Sequence, residues 1–197
     1  MIDSGMNTPN ARELAENITS LPLTLINTHV DIDHVSGNAM FESVMMGENE
    51  AELYRSKGFE NAVIPLKHGD MIDLGDRPLQ IIDLSGHTPG SIAILDEKYR
   101  VLFGGDSVQA GRIYMFGAHR NMKRYIETMI ELKGCADQFD EIYPSHSEIP
   151  VKPDCIPKLI DAAEQVFTGQ AEGTSVEVHG MPIKLYQFDV AGFLYEK

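Results

Sequence analysis

The 197-residue sequence predicts a single α/β domain over residues 1–197, on three observations. Short apolar runs recur along the chain, and several stop at small residues followed by a His or an Asp. Two later segments carry apolar residues at helical spacing, and one pair of runs flanks a strong turn sequence. Strand candidates interleaved with helical segments make the class α/β.

In chain order, Met1-Ile2-Asp3-Ser4-Gly5 reads as a strand end entering a glycine turn. Thr8 or Asn10 caps a short helix through Arg12, Leu14, Ala15 and Ile18. Residues 21–26 form a buried strand ending at Asn27-Thr28. Residues 39–46 and 50–57 read as helices, interrupted by Gly47 and Gly58. A short strand follows at 62–65. Residues 71–74 and 79–84 make a hairpin around Gly75-Asp76-Arg77-Pro78. Strands at 91–95 and 100–103 are separated by the polar turn Asp96-Glu97-Lys98. Met122, Ile126, Met129 and Ile130 give a helix over 120–133, closed by Gly134. After a strand at 141–143, residues 157–167 form a helix with Ile160, Ala163 and Phe167 inward, stopped by Gly169. The tail alternates as strands at 175–179 and 183–188 around a Gly180 turn.

Composition narrows the function classes. At 43% hydrophobic and 23% charged the chain is an ordinary globular protein, and no apolar run is long enough to span a bilayer. No secretory signal is visible, and Cys135 and Cys155 lie far apart, so the expectation is reduced thiols in a cytoplasmic protein. A net charge of −14 argues against a nucleic-acid partner. A small molecule, not a membrane or a nucleic acid, is the expected partner. Even an anionic one is compatible, because bound divalent cations dominate the field in a pocket.

The chemistry gathers at four places. Thr28-His29-Val30-Asp31-Ile32-Asp33-His34 packs four potential ligands into six residues. In an extended segment His29, Asp31 and Asp33 would share one face, with His34 free to serve a second centre. Such crowding is costly without a compensating cation. Further on, Gly86-His87-Thr88-Pro89-Gly90-Ser91, Phe103-Gly104-Gly105-Asp106 and Tyr143-Pro144-Ser145-His146 each place one ligand residue after a strand. His29, Asp31, Asp33, His34, His87, Asp106 and His146 suffice for two cations sharing one carboxylate.

The series THVDIDHVSGN, GHTPGS, FGGD and YPSHS, in that order, resembles the metallo-β-lactamase superfamily over residues 1–150. Ile2-Asp3-Ser4-Gly5 is similar to that family's early I-D-T-G element. The resemblance implies a four-layer αββα sandwich, here lacking its first strands, with metals at one edge. It implies a first metal on His29, Asp31 and His87, a second on Asp33, His34 and His146, and Asp106 as bridge. Asp31 departs from the pattern, standing where most members have a second His. A carboxylate there shifts preference from zinc toward iron or manganese, with zinc still the first expectation for the pair. The late start leaves an edge strand open, which favours a homo-oligomer through the N-terminal edge.

The expected function is a metal-dependent hydrolase that uses a metal-bridging hydroxide on a small ester, thioester or lactone. Asp33 and Asp106 are the expected catalytic carboxylates, Asp33 orienting the water. Substrate choice is assigned to residues 108–120, where Arg112, Tyr114, Met115, Phe116, His119 and Arg120 would line the mouth. Two alternatives stand beside this reading. One is a di-iron redox or oxygen-handling protein related to the flavodiiron proteins, suggested by Asp31. The other is a non-catalytic relic of the fold.

Overall fold

A computed structural model describes residues 1–196. Its central element is a five-stranded sheet in the order β3-β4-β5-β6-β8, made of β3 (Met71–Asp73), β4 (Pro78–Asp83), β5 (Ile92–Asp96), β6 (Val101–Gly105) and β8 (Glu141–Pro144). Period-two alternation gives this sheet two apolar faces. Leu79, Ile81, Ile92 and Ile94 point one way, toward Ile26 and Met45. Ile82, Ala93 and Leu95 point the other way, onto α4 (Met122–Lys133) and α5 (Cys155–Thr168).

Over the first face lies a smaller parallel pair, β1 (Ser43–Gly47) and β2 (Ala62–Leu66), extended by single bridges from Met45 to Ile26 and from Ile26 to Ile2. Met45 faces the central sheet, while Val44 and Met46 face outward to Tyr54 on α3 (Ala51–Ser56) and Phe41. The layers therefore run helix, sheet, sheet, helix, the αββα order expected. A third sheet, β7-β11-β10-β9, is built from β7 (Arg112–Met115), β9 (Thr174–Val178), β10 (Met181–Gln187) and β11 (Gly192–Tyr195). Ile113, Met115 and Phe193 join the main core from one face, and Leu194 and Ile183 pack with Phe116 on the other.

Several local expectations are corrected. Residues 39–46 are not helical: a short 3-10 turn at Asn38–Met40 leads into β1. Val-Met-Met fits a strand or a helix, and pairing with β2 decides it, because only a strand can place Met45 inside and its neighbours outside. Residues 21–26 contribute one bridging residue, Ile26, and not a strand. β7 lies where a connection was expected, and β11 had no sequence signal long enough to register. The helix α1 (Ala11–Glu16) is present. Asn121 caps α4, its side chain accepting from the Arg124 N–H, and Gly169 at φ 79° ends α5. On these helices Ile130 and Phe167 face outward, and Tyr125 and Leu159 take inward positions.

Candidate metal centre

Topology brings the ligand loops together. β5 is antiparallel to both β4 and β6, so those two run the same way, and β8 runs parallel to β6. The C-terminal ends of β4, β6 and β8 thus share one edge. His87 follows β4, Asp106 follows β6, and His146 follows β8. The fourth loop arrives from Ile26; the carbonyl of Thr28 accepts from the Ile92 N–H at 2.9 Å, on the same edge. From there His29 leads to Asp31, the residue ahead of the one-turn helix α2 (Ile32–Val35), which carries Asp33 and His34.

All seven side chains meet. His29 Nε2 and His87 Nε2 lie 3.5 and 3.4 Å from Asp31 Oδ2. His146 Nε2 and His34 Nε2 lie 3.1 and 3.5 Å from Asp33 Oδ2. Asp106 stands between the groups, with Oδ1 3.3 Å from His34 Nε2 and Oδ2 3.5 Å from His146 and 3.7 Å from His87. These separations suit donors wrapped around small cations. The buried atoms give an independent test of fit. Nε2 of His29, His34 and His87, and Oδ1 of Asp106, are buried without a hydrogen-bond partner. Unpartnered polar atoms converging on one point are costly in a protein interior and would be satisfied by a metal.

The opposite ring nitrogens are already committed. His34 Nδ1 donates to Asp3 Oδ2 at 2.8 Å, and His87 Nδ1 donates to the Tyr114 carbonyl at 3.0 Å. The hydroxyl of Thr28 donates to Asp3 and so accepts from His29 Nδ1 at 3.1 Å. Each ring is thereby fixed with Nε2 aimed inward, the arrangement that orients metal-binding imidazoles. Two glycines permit the geometry. Gly86 at φ 137° lets the His87 loop lie on α4, where a Cβ would collide with the Tyr125 backbone. At Gly105, φ 56°, a Cβ would crowd Thr28 at 3.1 Å.

Ionisation follows from the crowding. Burial pushes the Asp31 carboxyl up, but the adjacent His29 and His87 rings and the charge of Arg120 outweigh it and hold it well below the usual carboxylate range. The adjacent His146 and His34 rings do the same for Asp33. Burial opposes protonation of His34, yet Asp3 and Asp33 push it up to about 10. In fully buried His87 burial wins, and the ring is pushed down to about 4. The hydrogen bond to Asp33 raises His146.

The proposed mouth residues are placed differently. Phe116 is buried among Ile183 and Leu194, and the Tyr114 side chain packs beside it; Tyr114 reaches the site only through its carbonyl. Arg112 sits on an exposed strand position, and His119 is exposed with φ 73°. Among the described residues, no hydrogen bond or ion pair joins these four side chains to the seven. Arg120 does reach them, through Asp31. Sequence reasoning missed two supports. Asp3 holds Thr28 and His34, a role its place in the early glycine turn hinted at. Glu50, fully buried, accepts from the N–H groups of Val30 and Gly90 at 2.9 and 2.7 Å, tying the two first-cluster loops together. A Glu opening a helix reads as solvated, so nothing local marks it.

Comparison with known proteins agrees with this fold. The sequence model of the metallo-beta-lactamase superfamily matches residues 1–146. The human acyl-coenzyme A thioesterase MBLAC2 is 30% identical over 166 residues, 68% of this chain and 60% of that protein. The hydroxyacylglutathione hydrolase of Erythrobacter litoralis is 33% identical over 57% of this chain and 48% of its own length. Human persulfide dioxygenase ETHE1 is 28% identical over 55% and 42%. This chain thus spans less than two thirds of these relatives. The metallo-beta-lactamase structure from Pontibacter korlensis superposes with a TM-score of 0.71 at 17% identity, covering 83% of this chain and 81% of that one. With the ligand series, the layered sheets and a family match over most of its length, the chain belongs to the metallo-β-lactamase superfamily.

Proposed function

We propose that the chain is a metal-dependent hydrolase whose substrate is a thioester, with simple esters and lactones as lesser substrates. The observation that carries the reading is the set of inward-facing buried atoms on His29, His34, His87 and Asp106 that lack partners. His29, Asp31 and His87 would hold one divalent cation and Asp33, His34 and His146 another, with Asp106 between. Zinc is the first choice. Such cations supply Lewis-acid activation of water and polarisation of a carbonyl oxygen.

The protein's own groups do the rest. Asp33 is part-exposed and held ionised, so its Oδ atoms accept from an attacking water and orient it. Asp106, almost fully buried, keeps the two groups of imidazoles at fixed separation. His146, the most exposed of the seven, stands where a substrate enters. The thioester preference comes from the resemblance to a thioesterase.

The test is elemental analysis of protein purified without added metal, followed by a panel of acyl thioesters, esters and lactones before and after chelation. Bound divalent metal with thioester cleavage that chelation abolishes is expected. Retention of well under one ion per chain would point to a non-catalytic relic. A redox reading rests on Asp31, a hard ligand that suits iron, and on the likeness to a dioxygenase. Iron in the purified protein together with oxygen consumption would favour it over hydrolysis.

A further inference from the structure

The two ligand clusters have unlike surroundings. Asp31 Oδ2, the atom facing both first-cluster imidazoles, also accepts from Arg120 Nη2. Its Oδ1 lies 3.8 Å from the Lys57 ammonium. Arg120 is held in place: Nη1 donates to the His87 carbonyl at 2.6 Å, and the next residue's N–H donates to the Gly86 carbonyl at 2.8 Å. Its side chain is 13% exposed, with Nε buried and unpartnered. A cation on His29, Asp31 and His87 must therefore share one carboxylate oxygen with a resident guanidinium, in a site where like charges are poorly screened. The second cluster has the opposite setting. Among the described residues, no Lys or Arg pairs with Asp33 or Asp106, and a third carboxylate, Asp3, stands behind His34.

We propose that Arg120 is a resident competitor of the first cation, so that the clusters fill unequally: the second tightly, the first only as the Arg120–Asp31 pair gives way. Arg120 is then a positioning residue that sets metal stoichiometry through Asp31. This rests on the metal-dependent reading above and adds to it an order of loading and a residue that controls it. It also explains how a carboxylate stands where the family pattern has an imidazole: the extra negative charge is matched by Arg120 when no metal is there.

The experiment is titration of metal-stripped protein with Mn(II), read by calorimetry and by electron paramagnetic resonance, which separates isolated from spin-coupled ions. In the wild type about one ion should bind tightly and a second about ten- to hundredfold more weakly, the usual range for groups behind metal ligands. Arg120→Met should tighten the weaker step about tenfold and bring up the coupled signal at lower Mn(II). Arg120→Lys, which keeps the charge, should stay near the wild type. Lys57→Met, at a surface position, should move the same way as Arg120→Met by less, and carries the test should that variant not fold. Two equal steps in the wild type, or loss of the weaker ion in Arg120→Met, would overturn the proposal while leaving the metal-dependent reading intact. Failure of every variant to bind Mn(II) would remove both.

Discussion

The two halves of the metal centre use similar donors and are supported by opposite charge. Behind the second cluster stands a carboxylate, Asp3, bonded to His34. Behind the first stand Arg120 on Asp31, and the neutral partners Thr28 and the Tyr114 carbonyl on its imidazoles. The histidines differ in the same sense: Asp3 and Asp33 push His34 up to about 10 against burial, while burial, with Arg120 adding to it, pushes His87 down to about 4. Ligand identity alone leaves the clusters level, with two imidazoles and one carboxylate each; the surrounding charge separates them, because Asp3 behind His34 favours a dication and the guanidinium on Asp31 opposes one.

The largest effect should come from breaking the support of the first half. Glu50→Ala orphans the buried N–H groups of Val30 and Gly90, and at ~1–3 kcal/mol for each the cost should be about 4 kcal/mol. Chemical denaturation measures it, and Glu50→Gln, which keeps an acceptor, should recover much of the loss. Asp3→Asn tests the second half. It weakens charge-assisted bonds to His34 and Thr28, for about 2 kcal/mol, and should lower metal affinity of the second cluster more than that of the first. Equal loss at both would mean that Asp3 supports the rim as a whole.

A subtler difference is the pH response of the metal-free protein. His34 has its folded value raised, so it contributes stability that is full below about 6.5 and is lost as pH rises through about 10. His87 has its folded value lowered, so its neutral form contributes stability present above about 6.5 and lost as pH falls toward about 4. Imidazole NMR should show His34 protonated and His87 neutral at pH 7; the same state on both rings would erase the contrast. The smallest effect is expected at Arg112, on the exposed side of β7. Arg112→Ala should leave metal content unchanged, and a loss would show that β7 supports the centre through more than the Tyr114 carbonyl.

The ligands were legible because each follows an apolar run with small residues that let the backbone turn, as in Phe103-Gly104-Gly105-Asp106. The central sheet was legible because its strands alternate or are wholly apolar and are bounded by clear turns. What stayed hidden depends on distant partners. β1 is a strand because β2 pairs with it, and nothing in Ser43–Gly47 says so. Glu50 becomes a support only when Val30 and Gly90 arrive from either side, forty residues away in the case of Gly90. Arg120 was legible as a residue near the site but not as the partner of Asp31, since 89 positions separate them. The assignment of Phe116 to the mouth failed because β10 and β11, not solvent, cover its face.

The most direct test of the centre is anomalous diffraction from crystals grown with substoichiometric zinc. The account predicts a strong peak enclosed by Asp33, His34, His146 and Asp106, and a weaker one or none at His29, Asp31 and His87 until zinc is in excess. A dominant peak at Asp31, or zinc bound only away from all seven side chains, would contradict it.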